Sequence, residues 1–451
     1  MRSVISLAAA AACVSVFAAP LGALASTGEL YGYGSRASAL GNTMLGGIGD
    51  PFATFYNPAA NSTHPGLQVS LGVDFAHPSF TSINNIIVNN STISSKGTDI
   101  RGDVDTTNYQ DQLGQMVGAS FNFGEKFKSL TAGVTAFLPL SRVAYLDTSD
   151  PYLPEYVSYR SRTQRPQIYG SLSASPLAHL HLAMGVALST NLSASTNAYI
   201  TSSSTSVSHQ QFASTIKPGV APYFSAYADP DPVAVGVTIR MPNKYTISVD
   251  TNADAGLLAN TASLPLVLNS SSTIFYDPLE ADIAAATKLT QNLWATLEVD
   301  WFQYKAFESP ILTVTNIASA SNIHNSINSA PTFKNIFVPK GGLEIRGESV
   351  TYRLGYMYRP SPIESTSGAG NLVDPSRHSI TAGIGLNLKT MKVVEKDIIL
   401  DLNAQYHLLV KQHIEKSSGN ELGGAGNKVG SPGYDIGGSI YGGGFSLTMA
   451  F

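Results

Sequence analysis

The chain has 451 residues, of which 43% are apolar and only 13% charged, with a formal net charge of −4. Soluble proteins carry roughly 25% charged residues. A chain this poor in charge, yet without repeated apolar runs of about 20 residues, is neither a helical membrane protein nor a disordered one. Its negative charge gives no electrostatic case for nucleic-acid binding.

The chain opens on Arg2, then an apolar, alanine-rich run to Leu24, with Ala23-Leu24-Ala25 before Ser26 as a small-residue cleavage site. Residues 1–25 are expected to be a secretory signal peptide. The one cysteine, Cys13, lies inside it, so the exported chain should hold neither a disulfide nor a thiolate metal site. Residues 26–65 combine many glycines, Pro51 and Pro58 with Tyr31, Tyr33, Phe52, Phe55 and Tyr56. Glycine and proline forbid a long regular element, while the aromatics call for burial. This segment is expected to fold as a plug inside the structure built by residues 66–451.

Residues 66–451 alternate polar and apolar with period 2, the signature of strands. Ile398, Leu400, Leu402, Ala404, Tyr406 and Leu408 fall on one face, and Asp401, Asn403, Gln405 and His407 on the other. Strands are expected near 66–76, 114–123, 130–146, 165–177, 179–200, 208–227, 232–249, 279–288, 293–307, 335–347, 350–358, 377–389, 396–411 and 434–451. Short turns alternate with long polar loops, such as 77–113, 250–278 and 308–334. About fourteen strands with that asymmetry predict an all-β transmembrane barrel, its termini on the short-turn side. Such a wall is apolar toward lipid and polar toward the lumen. Counting along the alternation points Glu298, Asp300, Glu344, Arg346, Arg353 and Asp401 inward as an ionic lining. The last strand alternates Phe445, Leu447, Met449 and Phe451, and ends on an aromatic residue.

Gly34-Ser35-Arg36-Ala37, Gly41, Asp50 and Tyr56-Asn57-Pro58-Ala59 resemble the hatch of the FadL family of outer-membrane transporters. Val350 to Pro362, with Arg353-Leu354-Gly355-Tyr356-Met357-Tyr358, is similar to a second block of that family, which continues through Asp374-Pro375-Ser376-Arg377-His378. The resemblance implies a bacterial outer-membrane barrel that carries long-chain fatty acids or aromatic hydrocarbons without a cofactor. It implies a hatch at 26–65, a monomer, and Phe451 as the terminal signal for the barrel-assembly machinery. It also implies lateral exit of the ligand into the membrane through a gap at the third strand, against Asn57, Pro58 and Ala59. Pro139 is the candidate for that gap, because proline lacks the N–H of a ladder bond. Arg160, Arg162, Arg165, Lys334 and Lys340 are candidate partners for a fatty-acid carboxylate. For each, a rim charge facing water or lipopolysaccharide phosphates is the favoured reading.

No catalytic pattern emerges. His378 and Ser379 are adjacent and point to opposite faces, and His179 and His181 show no third metal ligand nearby in sequence. Two other readings stay open: a general porin for polar solutes, and a non-transporting adaptor barrel.

Overall fold

A segment with opposite chemistry on alternate residues is stable as a wall between lipid and a polar interior. The computed structural model describes residues 26–89, 98–106, 109–124, 130–140, 153–159, 165–201, 209–256, 264–307, 313–316, 332–365, 371–416 and 429–451. The expected leader, residues 1–25, lies outside the described residues. So do Arg160 and Arg162.

The principal sheet contains seventeen segments. They form fourteen wall strands, because three strands consist of two segments each. In chain order these are β1 (Leu67–Phe80), β2 (Gln112–Asn122), β3 (Leu130–Pro139), β4 (Gln167–Leu177), β5 (Leu180–Thr201) and β6 (His209–Ala228). β7 comprises Val233–Arg240 and Asn243–Gly256, β8 Leu264–Asp277 and Glu280–Lys288, and β9 Leu293–Phe302 and Thr313–Asn316. The last five are β10 (Ile336–Arg346), β11 (Val350–Arg359), β12 (Arg377–Asn387), β13 (Ile398–Glu415) and β14 (Gly433–Ala450). Consecutive strands pair antiparallel, and β1 pairs β14 from Gln68↔Ala450 to Phe80↔Gly438. That pairing closes the sheet and removes its edges.

The alternation falls as the sequence predicts. Leu71, Leu172, Leu297, Leu343, Ile380 and Phe445 point outward and are exposed, whereas Ser70, Thr296, Glu298, Asp401 and Ser446 point inward and are buried. An apolar exterior on strand after strand far exceeds the patches found on soluble proteins and fits lipid.

Three expectations need correction. β3 carries no interior break: it pairs β2 from Thr131 to Pro139 and β4 from Leu130 to Phe137. Pro139 ends the strand, and Leu140 N donates to Leu113 O at 2.9 Å. By alternation the missing N–H of Pro139 points away from β2, toward β4, beyond the last rung of that ladder. It therefore removes no wall hydrogen bond. The segment 232–249 is not one strand but is interrupted at Met241-Pro242, and β8 is likewise interrupted at Pro278-Leu279. The polar stretch 250–278 is largely strand: the upper halves of β7 and β8 pair with each other, from Asn243↔Asp277 to Ala255↔Leu264. Its polarity on both faces had suggested a loop.

The upper half of β7 also runs parallel to the upper half of β5, from Ile247↔Leu192 to Gly256↔Thr201. The first long loop contains a hairpin of Ile83–Asn89 and Ile100–Val104. Phe80, Tyr109, Tyr156 and Tyr159 gather there with Leu30 and Tyr31 from the N-terminal segment.

Candidate functional site: the filled lumen

Residues 26–63 form short helical turns rather than strands. These are α1 (Thr27–Tyr31), α2 (Ser35–Ala39), α3 (Ala53–Tyr56) and two 3-10 turns, Met44–Gly47 and Pro58–Thr63. Glycine supplies the corners: Gly32, Gly34, Gly41 and Gly49 all take positive φ. Ser26 caps α1 by accepting from Glu29 N at 3.1 Å. Nearly every side chain here is buried, and the partners are inward-facing wall residues.

The contacts run around the whole lumen. On one side Ser35 N donates to Ser446 Oγ, and Asn403 Nδ2 donates to Ser35 Oγ at 3.0 Å. Gly41 N donates to Thr381 Oγ1 at 3.0 Å. Leu40 and Gly41 lie directly on wall glycines: a Cβ on Gly355 would stand 2.0 Å from Gly41 N, and one on Gly342 would stand 2.9 Å from Leu40 O. On the opposite side Asn57 Nδ2 donates to Ala226 O of β6 at 3.0 Å and to Val237 O of β7 at 3.5 Å. Ala59 N donates to Ser225 Oγ at 2.9 Å, and Thr238 Oγ1 donates to Tyr56 O at 2.9 Å. Asn57, Pro58 and Ala59 thus sit at β6 and β7, not at Pro139. Near β3 it is Pro51 and Thr54 that approach, at Thr135 and Gly133.

Buried charges tie the segment down in three groups. Arg359 joins Glu29 at 2.9 Å to Asp374 at 2.7 Å, and Tyr304 OH also donates to Glu29. Arg36 reaches Glu344 at 3.4 Å, and Arg346 and Arg353 converge on the same carboxylate. Arg353 continues to Asp401. In the third group Lys340 Nζ donates to Asn42 O at 3.1 Å and lies beside Glu298 and Asp300. Met44 N donates to Glu298, and Arg240 joins Glu280 and Asp282 to the carbonyls of Phe55 and Tyr56. Pairing offsets the desolvation that would otherwise expel such charges. The six expected lumen charges are all in these groups. Arg240, Glu280 and Asp282 were missed, although they occupy the polar phase of strands that the alternation had located.

Two of the residues considered for a carboxylate are already engaged: Lys340 as above, and Arg165 with Asp277. Lys334 is exposed. In the segment itself, burial pushes the Asp50 carboxyl up to about 7, against a hydrogen bond from Phe52 N and the charges of Arg36 and Arg353. Burial and Arg36 together push His64 down.

Apolar packing fills the remaining space. Tyr33, Phe55, Tyr56, Phe137, Tyr169 and Tyr223 form one cluster, with Tyr33 and Phe55 edge to face at 4.5 Å. A cavity of about 40 Å³ remains among Phe55, Tyr169, Tyr223, Met241 and Phe302, and one of about 20 Å³ lies beside Asp300 and Lys340.

Two pairings bear on chemistry. Ser379 Oγ lies 2.7 Å from His407 Nδ1, but both are wholly buried and His407 turns its other nitrogen to Gln405, not to a carboxylate. His179 and His181 do acquire a third neighbour, Asp229, at 3.3 and 3.5 Å, supplied by the adjacent turn rather than by local sequence.

No family model and no curated protein matches this chain. Solved structures do. A FadL homologue of Pseudomonas aeruginosa matches with a TM-score of 0.59 at 13% identity, over 96% of this chain and 98% of that one. The toluene transporter TbuX of Ralstonia pickettii matches with a TM-score of 0.51 at 12% identity, over 94% and 99%. The toluene transporter TodX of Pseudomonas putida matches with a TM-score of 0.52 at 13% identity, over 94% and 99%. The chain has their fold, a barrel of fourteen strands, across almost its whole length.

Proposed function

We propose that this chain is a FadL-like barrel of the bacterial outer membrane that admits hydrophobic compounds, with residues 26–65 as its hatch. The observation that carries this reading is the lumen. Among the described residues a buried, aromatic-rich segment crosses it from wall to wall, and two cavities beside that segment measure about 40 and 20 Å³. A filled lumen offers polar solutes no aqueous path, which speaks against a general porin. An apolar cargo gains about 0.8 kcal/mol per buried CH₂ when it leaves water for an aromatic pocket. A sideways exit into the membrane keeps that gain throughout.

Long-chain fatty acids and aromatic hydrocarbons are both candidates. Arg165 and Lys340 are neutralised by wall carboxylates, so neither is spare for a fatty-acid head group. Among the described candidates that leaves exposed Lys334, which supports a neutral hydrocarbon, the cargo named for two of the structural neighbours. The test is uptake of labelled toluene and labelled oleate by cells with and without the protein, beside conductance in planar bilayers. Expression should raise uptake of at least one compound while conductance stays small. Large steady conductance without uptake would favour the porin, and neither signal would favour the adaptor.

A further inference from the structure

Three neighbouring strands carry a proline at one height. In register, Met241 of β7 faces Pro222 of β6, and Pro242 falls opposite Pro278 of β8. Proline brings no N–H to a ladder, and a closed barrel has no free edge on which to place it. Both β7 and β8 lose their strand geometry here.

The consequence is largest between β6 and β7. Their ladder spans only Tyr223–Ala228 against Val235–Arg240. Its last bond is Met241 N to Pro222 O at 3.0 Å. Above that point β6 pairs with β5 alone, while β7 pairs with β8 and, from Ile247 upward, with β5 in parallel. The wall strands change neighbours at this level. Between the Met241–Pro222 bond and the Ile247–Leu192 pair, β6 and β7 are joined by no ladder.

The outer side of this stretch is apolar, and the inner side mixes aromatic with charged residues. Val220, Phe224, Ile239 and Met241 are exposed outside. Behind it lies the 40 Å³ cavity, where Phe55, Tyr169, Tyr223, Met241 and Phe302 stand beside the paired charges of Arg240 and Glu280. The hatch is tied to both flanks just below. Asn57 donates one bond to each strand, at Ala226 O and Val237 O, and Arg240 holds the carbonyls of Phe55 and Tyr56. β3, by contrast, is bonded on both edges through Phe137.

We propose that the ladder-free stretch between β6 and β7, at Pro222 and Met241-Pro242, is the door through which an apolar compound passes between lumen and membrane, and that Asn57 is its latch. In this structure the door is shut, because the cavity behind it, at about 40 Å³, is too small for an aromatic ring. Opening it requires Tyr223 to let go of Thr54 O, to which its hydroxyl donates at 2.8 Å. Movement of the hatch at residues 55–59 would reach both flanks through Asn57. This proposal rests on the transport reading above and moves the sideways exit from the third strand to the sixth and seventh.

A disulfide across the door tests it. Pro222→Cys with Met241→Cys joins residues whose Cα atoms face each other across an antiparallel pair, about 5.5 Å apart and within disulfide reach. Val134→Cys with Gly170→Cys, Cα partners on β3 and β4, is the control. The readout is uptake of labelled toluene and oleate at equal surface abundance, before and after a reductant. A second variant, Pro222→Val, supplies the N–H that would face Met241 O and so lengthens the ladder between β6 and β7 without a cross-link. Uptake should fall to the level of cells lacking the protein when the door is cross-linked, and return on reduction. It should persist in the control and slow in the Pro222→Val variant. Parental uptake in both the cross-linked door and the valine variant overturns the door while leaving transport standing. If the parent itself raises no uptake, the transport reading falls and takes the door with it.

Discussion

Asp50 shows how a single buried residue sets the conditions for the hatch. Its carboxyl accepts from Phe52 N at 3.0 Å, and burial raises its pKa to about 7. In an unfolded chain an aspartate titrates near ~3.9. The docked hatch therefore holds a proton that the undocked hatch releases. Docking is favoured below about pH 4 and loses that contribution as pH rises through about 7. Full ionisation costs on the order of 4 kcal/mol. Hydrogen exchange of residues 26–65 should be faster, relative to an Asp50→Asn variant, at pH 8 than at pH 5. Equal ratios at the two pH values would show that the carboxyl plays no such part. At this scale the inward charges were legible wherever a strand had one wet and one greasy side. Their partners were not, because Arg36, Asn42 and Met44 meet them from a segment with no period to count.

Between elements, the closest approach is that of Leu40-Gly41 to β11 and its neighbours. A methyl group on Gly355 would meet the backbone of Gly41 at 2.0 Å and of Leu40 at 2.4 Å, and backbone cannot turn aside. Gly355→Ala should therefore loosen the hatch by roughly 1–3 kcal/mol, the usual cost of overpacking. The change should appear as faster exchange at Leu40–Asn42, with the barrel's heat-modifiable migration on gels unchanged. Normal protection would mean that the contact yields. The strands themselves were legible because a membrane wall imposes opposite solvents on alternate residues. Where β7 and β8 pass through Asp250-Thr251-Asn252 and Asn269-Ser270-Ser271-Ser272, no apolar phase is left to count, and strand read as loop. The prolines were misjudged for a related reason. Pro139 was visible in one strand, but Pro222, Pro242 and Pro278 gain their meaning only from register, which no single segment contains.

For the whole molecule, wall and filling are separate constructions. The fourteen strands close on themselves through β1 and β14, with Phe451 N donating to Leu67 O at 2.8 Å, and none of those bonds uses the hatch. Deleting residues 26–65 should leave an inserted barrel with large ion conductance in planar bilayers. A variant that stays closed would refute the plug, and one that fails to insert would show that the wall needs its filling. The same separation has a kinetic side. The hatch is made first, yet some of its partners are made late: Ser35 bonds Ser446, 411 residues on, and Gly41 bonds Thr381, 340 residues on. Contacts of that span wait for nearly the entire chain to be in place. Until the last strands are in place those forty or so residues, seeded with aromatics, can reach only their earlier partners, such as Thr135 and Ser225. Either the closing wall gathers them in, or they thread into a finished ring through one of its ends. A periplasmic protease should cut this stretch in nascent chains and spare it in mature ones.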